Sequence, residues 1–293
     1  MRPAAFDYVR AGSVAEALAA LADDDREARV LAGGQSLVPM MALRLARPEV
    51  LVDITRCPEL RTTALDGSVL RVGAAVPDAV LERDPEIRAA HPLLVRTLSL
   101  IAHEEIRARG TLCGSLAHAD PAAELPALLL ATGGEVEVDG PGGPRRVAAD
   151  EFFAGPFTPA LDDGEMVVAA RLPVPGPAVG WAVDEIARRP GDFALAGAVA
   201  TVELDGSGRC SHVGVALFGV ASTPVRSRGA EEILMGQQVD EAVLDAAAAA
   251  SLDGVDVLGD EVHASATYRR DAARALVRRT LAAAVRSAGG SGA

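Results

Sequence analysis

The sequence predicts an α+β protein built in two parts, and three observations carry that expectation. Between Arg29 and Ile54 a strand, a Gly-Gly turn, a helix and a second strand follow one another, which is a βαβ unit. Between Trp181 and Val220 three strand-like runs lie close together, two of them joined by Asp205-Gly206-Ser207-Gly208, and three helices follow, so the second part pairs an antiparallel sheet with helices. Between the two parts, Pro173-Val174-Pro175-Gly176-Pro177 sets three prolines in five residues. Each proline fixes φ, which suits a linker. The boundary is placed there, with one domain over 1–175, itself divided into about 1–56 and 57–175, and a second over 178–293.

In order along the chain, Ser13-Val14-Ala15-Glu16 is a capping box that opens a helix over Val14 to Leu21, and Asp23-Asp24-Asp25 ends it. Arg29 to Ala32 reads as a short buried strand, Gly33-Gly34-Gln35-Ser36 as a tight turn, and Leu37 to Leu45 as a helix with Pro39 tolerated in its first turn. Val50 to Ile54 and Val69 to Ala74 read as strands. Pro77 to Arg107 is mostly helical, with breaks at Pro85 and Pro92, because proline cannot donate to the preceding turn. A small-residue turn, Gly110 to Ser115, leads to a short helix and Pro121. Glu135 to Val138 and Glu165 to Leu172 read as strands around the Pro/Gly-rich loop Gly140 to Pro144. Trp181 to Ala187, Leu195 to Leu204 and His212 to Val220 are the three sheet strands. Helices near Val225–Met235, Glu241–Ser251 and Ala264–Arg286 close the chain.

Composition excludes several chemistries. The 293 residues contain neither Lys nor Asn, so all 28 basic residues are Arg, against 41 Asp and Glu, for a net charge of −13. Schiff-base and P-loop lysines and Asn-linked glycosylation are therefore absent. An acidic chain with 3% aromatic residues also lacks the phosphate contacts and stacking platforms of a nucleic-acid binder. Cys57, Cys113 and Cys210 are widely spaced, form no CxxC, and cannot alone supply four ligands to an iron–sulfur cluster or structural zinc. With no signal-peptide core near Met1 and no long apolar run, the expectation is a reduced, cytoplasmic protein without a membrane span.

Two Gly-rich segments can hold a cofactor. In Ala32-Gly33-Gly34-Gln35-Ser36-Leu37, adjacent glycines allow backbone N–H groups to turn outward at a helix start, which suits a pyrophosphate. The same residues also make an ordinary strand-to-helix turn. In the Ile106–Pro126 stretch, Gly110, Gly114 and Ser115 permit close backbone approach, and Thr111 and Ser115 add hydroxyls. Asp120, held extended before Pro121, either points its carboxylate into a cleft or caps a helix. A third segment, Arg188-Arg189-Pro190-Gly191-Asp192-Phe193-Ala194, reads locally as a surface turn with an Arg–Asp ion pair.

These three segments occur in the order and spacing of the FAD-binding medium subunit of molybdenum hydroxylases. Over essentially its whole length the chain resembles the aerobic carbon monoxide dehydrogenase medium-chain type, related to the FAD domain of xanthine dehydrogenase. The resemblance implies a two-part FAD-binding domain of the vanillyl-alcohol-oxidase (PCMH) type and a smaller C-terminal α+β domain with antiparallel sheet and helices. It implies non-covalent FAD, with Ala32, Gly33, Gly34, Gln35, Ser36 and Leu37 holding the pyrophosphate through backbone amides. Thr111, Cys113, Gly114 and Ser115 approach the phosphates and flavin edge, His118 lies in the same loop, and Asp120 binds the ribose or ribityl region. Leu161 with its preceding loop, and the Arg189–Asp192 turn, border the isoalloxazine, for whose wall Phe152, Phe153, Phe157 and Trp181 are further candidates. The family pattern has Gly where Cys113 stands, so a side chain, and a thiol, is expected near the cofactor; Ala108 replaces a usual Asn.

The implied activity is an FAD-dependent oxidoreductase subunit that passes electrons from iron–sulfur clusters to an external acceptor. Its implied partners are a molybdopterin-binding large subunit and a 2Fe-2S small subunit, with a dimer of heterotrimers or a homodimer as the assembly. The alternatives are a stand-alone flavin oxidoreductase, which Cys113 favours, and a non-catalytic module holding another phosphorylated ligand. No side chain is expected to be catalytic. His91, His103, His118, His212 and His263 form no HxH or HxxxH pair, so no metal is expected on this chain. Arg270, Arg274 and Arg278 fall on one face of the last helix, a solvated face or a docking surface for an acidic partner.

Overall fold

The computed structural model describes residues 2–22, 25–260 and 262–289. Asp23 and Asp24, read above as the end of the first helix, lie outside the described residues. The chain opens with β1 (Asp7–Arg10), α1 (Val14–Leu21), β2 (Ala28–Leu31), α2 (Leu37–Ala42) and β3 (Val50–Asp53). The βαβ unit forms as its sequence requires: β2 and β3 are parallel, and β1, missed in the sequence, adds in parallel on the other side of β3. As the central strand, Val50-Leu51-Val52-Asp53 is buried throughout. Ser13 caps α1 by accepting from the Glu16 N–H, and the Glu16 carboxylate reaches back to the Gly12 amide at 2.7 Å.

The next stretch holds β4 (Thr63–Asp66), β5 (Val69–Gly73), α3 (Asp78–Arg83), α4 (Pro85–Ala90), α5 (Pro92–Leu98), α6 (Glu104–Arg107), α7 (Leu112–His118) and α8 (Glu124–Thr132). Pro85 and Pro92 each open a helix rather than interrupt one, where a missing N–H costs nothing. Then follow β6 (Glu135–Asp139), β7 (Arg145–Ala148), α9 (Ala149–Phe152), β8 (Phe153–Gly155), β9 (Thr158–Pro159) and β10 (Met166–Pro173). Strands β4, β5, β10, β6 and β7 form one antiparallel sheet in that order.

The last part comprises β11 (Val179–Ile186), β12 (Ala196–Leu204), β13 (Cys210–Phe218), β14 (Val225–Arg226), α10 (Arg228–Leu234), α11 (Glu241–Ala250) and α12 (Ala266–Gly289). Val225 and Arg226, expected in a helix, pair with β13 instead; the helix starts at Arg228, after Ser227.

Sheet β11-β12-β13-β14 is covered on both faces. Ala196, Ala198, Ala200 and Val202 alternate toward α12 and its neighbours, while Val199, Ala216 and Phe218 join the core of the first part. Helix α8 is apolar on every side because it packs on β12, β13 and α5. Glycine allows these contacts: a Cβ on Gly214 would lie 1.9 Å from the Ala131 carbonyl oxygen, and one on Gly180 1.9 Å from that of Ala284.

Of the expected basic face of α12 (Arg270, Arg274 and Arg278), Arg278 is engaged within the molecule, as are Arg269 and Arg279 beside it. Arg278 pairs with Glu241 and Asp245 of α11, Arg279 with Asp184, and Arg269 binds Asp260 and the carbonyls of Leu195 and Gly219.

Candidate functional site

A cleft of about 1610 Å3 runs between the βαβ unit, the α7–α8 segment and the loops before β10 and β12. That is larger than most sites for compact ligands and suits an extended one. Of the candidate residues, Ala32, Gly33, Gly34, Gln35, Ser36, Leu37, Thr111, Cys113, Gly114, Ser115, His118, Asp120, Leu161 and Asp192 all line it. Arg189 does not. It forms a backbone turn with Asp192, whose N–H donates to the Arg189 carbonyl at 3.1 Å, and among the described residues the two side chains make no ion pair.

The turn after β2 is tightly seated. A Cβ at Gly33 would lie 2.1 Å from the Arg109 carbonyl oxygen and 2.8 Å from the Gly110 Cα, so the two Gly-rich segments touch backbone to backbone. Gly34 has φ +74°, a left-handed conformation that favours glycine. The Gln35 amide folds back onto the Gly33 carbonyl at 2.9 Å, and Ser36 makes no side-chain cap to the first turn of α2.

The Gly110–Ser115 segment is not an open turn. Thr111 is the N-cap of α7, its Oγ1 accepting from the Gly114 N–H at 2.9 Å, so residues 112–115 are the first turn of a helix. Cys113 therefore points inward. It is 1% exposed, its Sγ lies 3.5 Å from the Val72 carbonyl, and burial pushes the thiol up to about 12. The thiol expected near the cofactor belongs to a residue that does border the cleft, but one helical turn rotates its Sγ toward the core. Asp120 does not cap α8, whose N-cap is Ala123. Its Oδ1 accepts from the Ala122 N–H at 2.9 Å while the residue lines the cleft.

Two exposed aromatic rings line the cleft. Phe157 holds φ +53°, donates its amide to the Ala119 carbonyl at 3.0 Å, and stacks on His118 with centroids 5.1 Å apart. Burial lowers the His118 pKa. Phe193 is 68% exposed and follows Gly191, whose φ of +84° fits against Ala102 and His103, where a Cβ would come within 2.8 Å. Phe152 lies in the core, and Trp181 does not line the cleft. Leu161 reaches the cleft from a segment running to Gly164, which faces the end of α1 at Leu21.

The sequence reading missed two acids. Asp78 at the start of α3 and Glu124 at the start of α8 line the cleft at 3% and 7% exposure. Burial pushes Asp78 up to about 7, with Arg107 opposing and Glu82 adding. It pushes Glu124 up to about 8, reinforced by Glu185, Asp120 and Asp78. In the sequence each stands in a helix's first turn, where an acid is ordinary, and that concealed them. The only signal was a carboxylate heading the otherwise apolar run of α8.

Among the described residues no group of three His, Cys, Asp or Glu side chains is placed to hold a metal ion, and no helix is long and apolar enough to cross a membrane. The three cysteines are free and buried. Glycines, backbone groups, hydroxyls and two buried acids with raised pKa values thus share one cleft large enough for an extended ligand.

Residues 4–175 match the family described as FAD binding domain in molybdopterin dehydrogenase, and residues 181–284 match the CO dehydrogenase flavoprotein C-terminal domain. The alpha subunit of the 6-hydroxypseudooxynicotine dehydrogenase complex of Paenarthrobacter nicotinovorans is 41% identical, covering 98% of this chain and 97% of its own. The carbon monoxide dehydrogenase medium chain of Hydrogenophaga pseudoflava is 37% identical, covering 97% and 98%. Among solved structures, carbon monoxide dehydrogenase from Hydrogenophaga pseudoflava superimposes with a TM-score of 0.94 at 38% identity, over 98% of this chain and 99% of that one. Quinoline 2-oxidoreductase from Pseudomonas putida 86 gives 0.92 at 37%, with the same coverage.

Proposed function

Because this chain belongs to the family of FAD-binding subunits of molybdopterin dehydrogenases, we propose that its cleft holds FAD non-covalently and that it is the electron-transfer flavoprotein subunit of a molybdenum hydroxylase-type dehydrogenase. The observation that carries this reading is the seating of Gly33 on Arg109 and Gly110. It brings two Gly-rich segments to one cleft where a side chain on Gly33 would not fit; the N–H groups of Gly110, Gly114 and Ser115 are taken up by Ile106 O, Thr111 Oγ1 and Thr111 O, so in this reading the phosphate-facing amides are those of the Gly33–Leu37 turn. Such a cradle fits a pyrophosphate.

In this reading Gly33 to Leu37 hold the pyrophosphate through backbone N–H groups, and Thr111, Gly114 and Ser115 approach it from the start of α7. Asp120 accepts from sugar hydroxyls. Phe157 and Phe193 shield the ring system from water, with Asp192 beside it. A flavin supplies one-electron and two-electron redox chemistry at one site. The side chains bind, orient and exclude solvent. None is assigned a catalytic proton transfer, and Arg189 is left without a cofactor contact.

The partners that follow are a large subunit with molybdopterin and a small subunit with 2Fe-2S clusters, consistent with relatives that are medium chains or complex subunits. A dimer of such heterotrimers is the assembly proposed. Buried free cysteines support a reducing, cytoplasmic location. The break near Pro173–Pro177 is proposed as the domain boundary, although the sheet beyond it shares core residues with the first part. Cys113, core-facing, lends no support to a stand-alone oxidase. Purification from the native host with metal and flavin analysis tests the assignment. A flavin spectrum with co-purifying molybdenum and iron supports it, and a flavin-free chain that takes up no added FAD refutes it.

A further inference from the structure

We propose that Asp78 stands in the wall of the FAD cleft as a neutral carboxylic acid, and that FAD binding takes up a proton at this side chain whenever it has been ionised. The proposal rests on the cofactor reading above. Three layers carry it. The Asp78 N–H donates to the Gly110 carbonyl at 2.8 Å, and Pro77 pairs with Thr111 across an isolated bridge. A Cβ on Gly110 would meet Asp78 Oδ2 at 2.7 Å, and one on Gly33 would meet Arg109 O and Gly110 Cα. The carboxyl therefore stands against the same backbone that the pyrophosphate turn rests on.

Asp78 is 3% exposed and lines the cleft, yet its Oδ1 has no hydrogen-bond partner. An ionised carboxylate with an unsatisfied buried oxygen is costly, whereas the neutral acid carries a donor that can serve a phosphate oxygen. The nearby cation opposes this only from a distance, since its guanidinium is held elsewhere. Arg107 is engaged through Nε and NH2 with Glu82 and through NH1 with the Ile101 carbonyl. The other groups facing Asp78 are Cys113 of α7 and Glu124 of α8, and Glu124 in turn faces Asp120 and Glu185. Apart from Arg107, every one is acidic or neutral. Burial already sets the Asp78 proton near pH 7, and two phosphate charges arriving in the cleft bind it more tightly. The proton comes from solvent, and no bond or electron changes hands.

The test is calorimetric titration of FAD into the full flavin-stripped chain, between about pH 6 and pH 9, in two buffers of different ionisation enthalpy. Wild type is expected to take up at least one proton at the upper end, Glu124 adding its own share, and to lose affinity by about tenfold or more per pH unit above about 7. Asp78→Asn, uncharged and still a donor, should take up one proton fewer and lose less affinity as pH rises. Glu124→Gln should retain the Asp78 proton. Tight FAD binding by wild type without proton uptake overturns the proposal, whether or not the Asn variant folds. So does a folded Asp78→Asn profile that superimposes on wild type. Failure to bind FAD at any pH instead overturns the cofactor reading on which it rests.

Discussion

Replacing Gly33 with Ala adds a single methyl at the contact between the two Gly-rich segments. That methyl would stand 2.1 Å from the Arg109 carbonyl oxygen, 2.7 Å from its carbon and 2.8 Å from the Gly110 Cα. Ordinary contact begins near 3.4 Å, so the backbones must part by about 1.3 Å; no flexible side chain can absorb the clash. Overpacking of this kind costs about 1–3 kcal/mol. The loop that moves carries Thr111 and the start of α7, and the turn that moves carries the phosphate-facing amides. FAD affinity should therefore fall by about tenfold or more, read by fluorescence titration of the flavin-stripped chain, with a modest drop in Tm. Gly142→Ala is the control: a Cβ there meets nothing within 4 Å and φ is unconstrained, so both readouts should match wild type. Wild-type FAD affinity in a folded Gly33→Ala variant would refute the argument that this contact shapes the cofactor cradle.

Three further outcomes are expected. Asp78 and Glu124 carry folded pKa values raised to about 7 and about 8, above their unfolded values, so their contribution to stability is complete below about pH 4 and is lost as pH rises through those values. The unfolding free energy of the flavin-free chain should fall between about pH 4 and pH 8, by up to about 1.4 kcal/mol per pH unit per group, seen as a declining Tm, and Glu124→Gln should flatten part of that slope. Phe157→Ala or Phe193→Ala should weaken FAD binding about two- to tenfold and increase iodide quenching of bound flavin, as loss of an aromatic contact implies. Unchanged quenching in both would remove these rings from the ring-shielding role. Cys57, Cys113 and Cys210 should resist alkylation at pH 8 in the native chain and react only after denaturation, read by mass spectrometry, since all three are buried and burial raises each thiol.

Local chemistry made much of this architecture legible. Ser13 and Glu16 marked the start of α1, Pro85 and Pro92 the starts of α4 and α5, and apolar runs joined by Asp205-Gly206-Ser207-Gly208 marked β12 and β13, because caps, prolines and turn residues act over a few residues. The short pairs β4, β7, β8 and β9 stayed hidden, as did β1, since two to four half-polar residues carry no periodicity until a neighbouring strand supplies their hydrogen bonds. Residues 112–115 read as a turn from their small side chains, and become helix because Thr111 caps them and Leu112, Cys113 and Leu116 bury one face.

The sequence by itself determined the longer helices and strands, the exclusion of lysine chemistry and the three segments whose order and spacing suggested a flavin cleft. Only the tertiary structure decided which members of those segments face that cleft. One helical turn carries Cys113 into the core, a backbone turn leaves Arg189 outside, and helix starts remote in sequence bring Asp78 and Glu124 to the wall. The physical reason is that a side chain's direction and its desolvation depend on what packs against it from elsewhere in the chain, and no local pattern contains that.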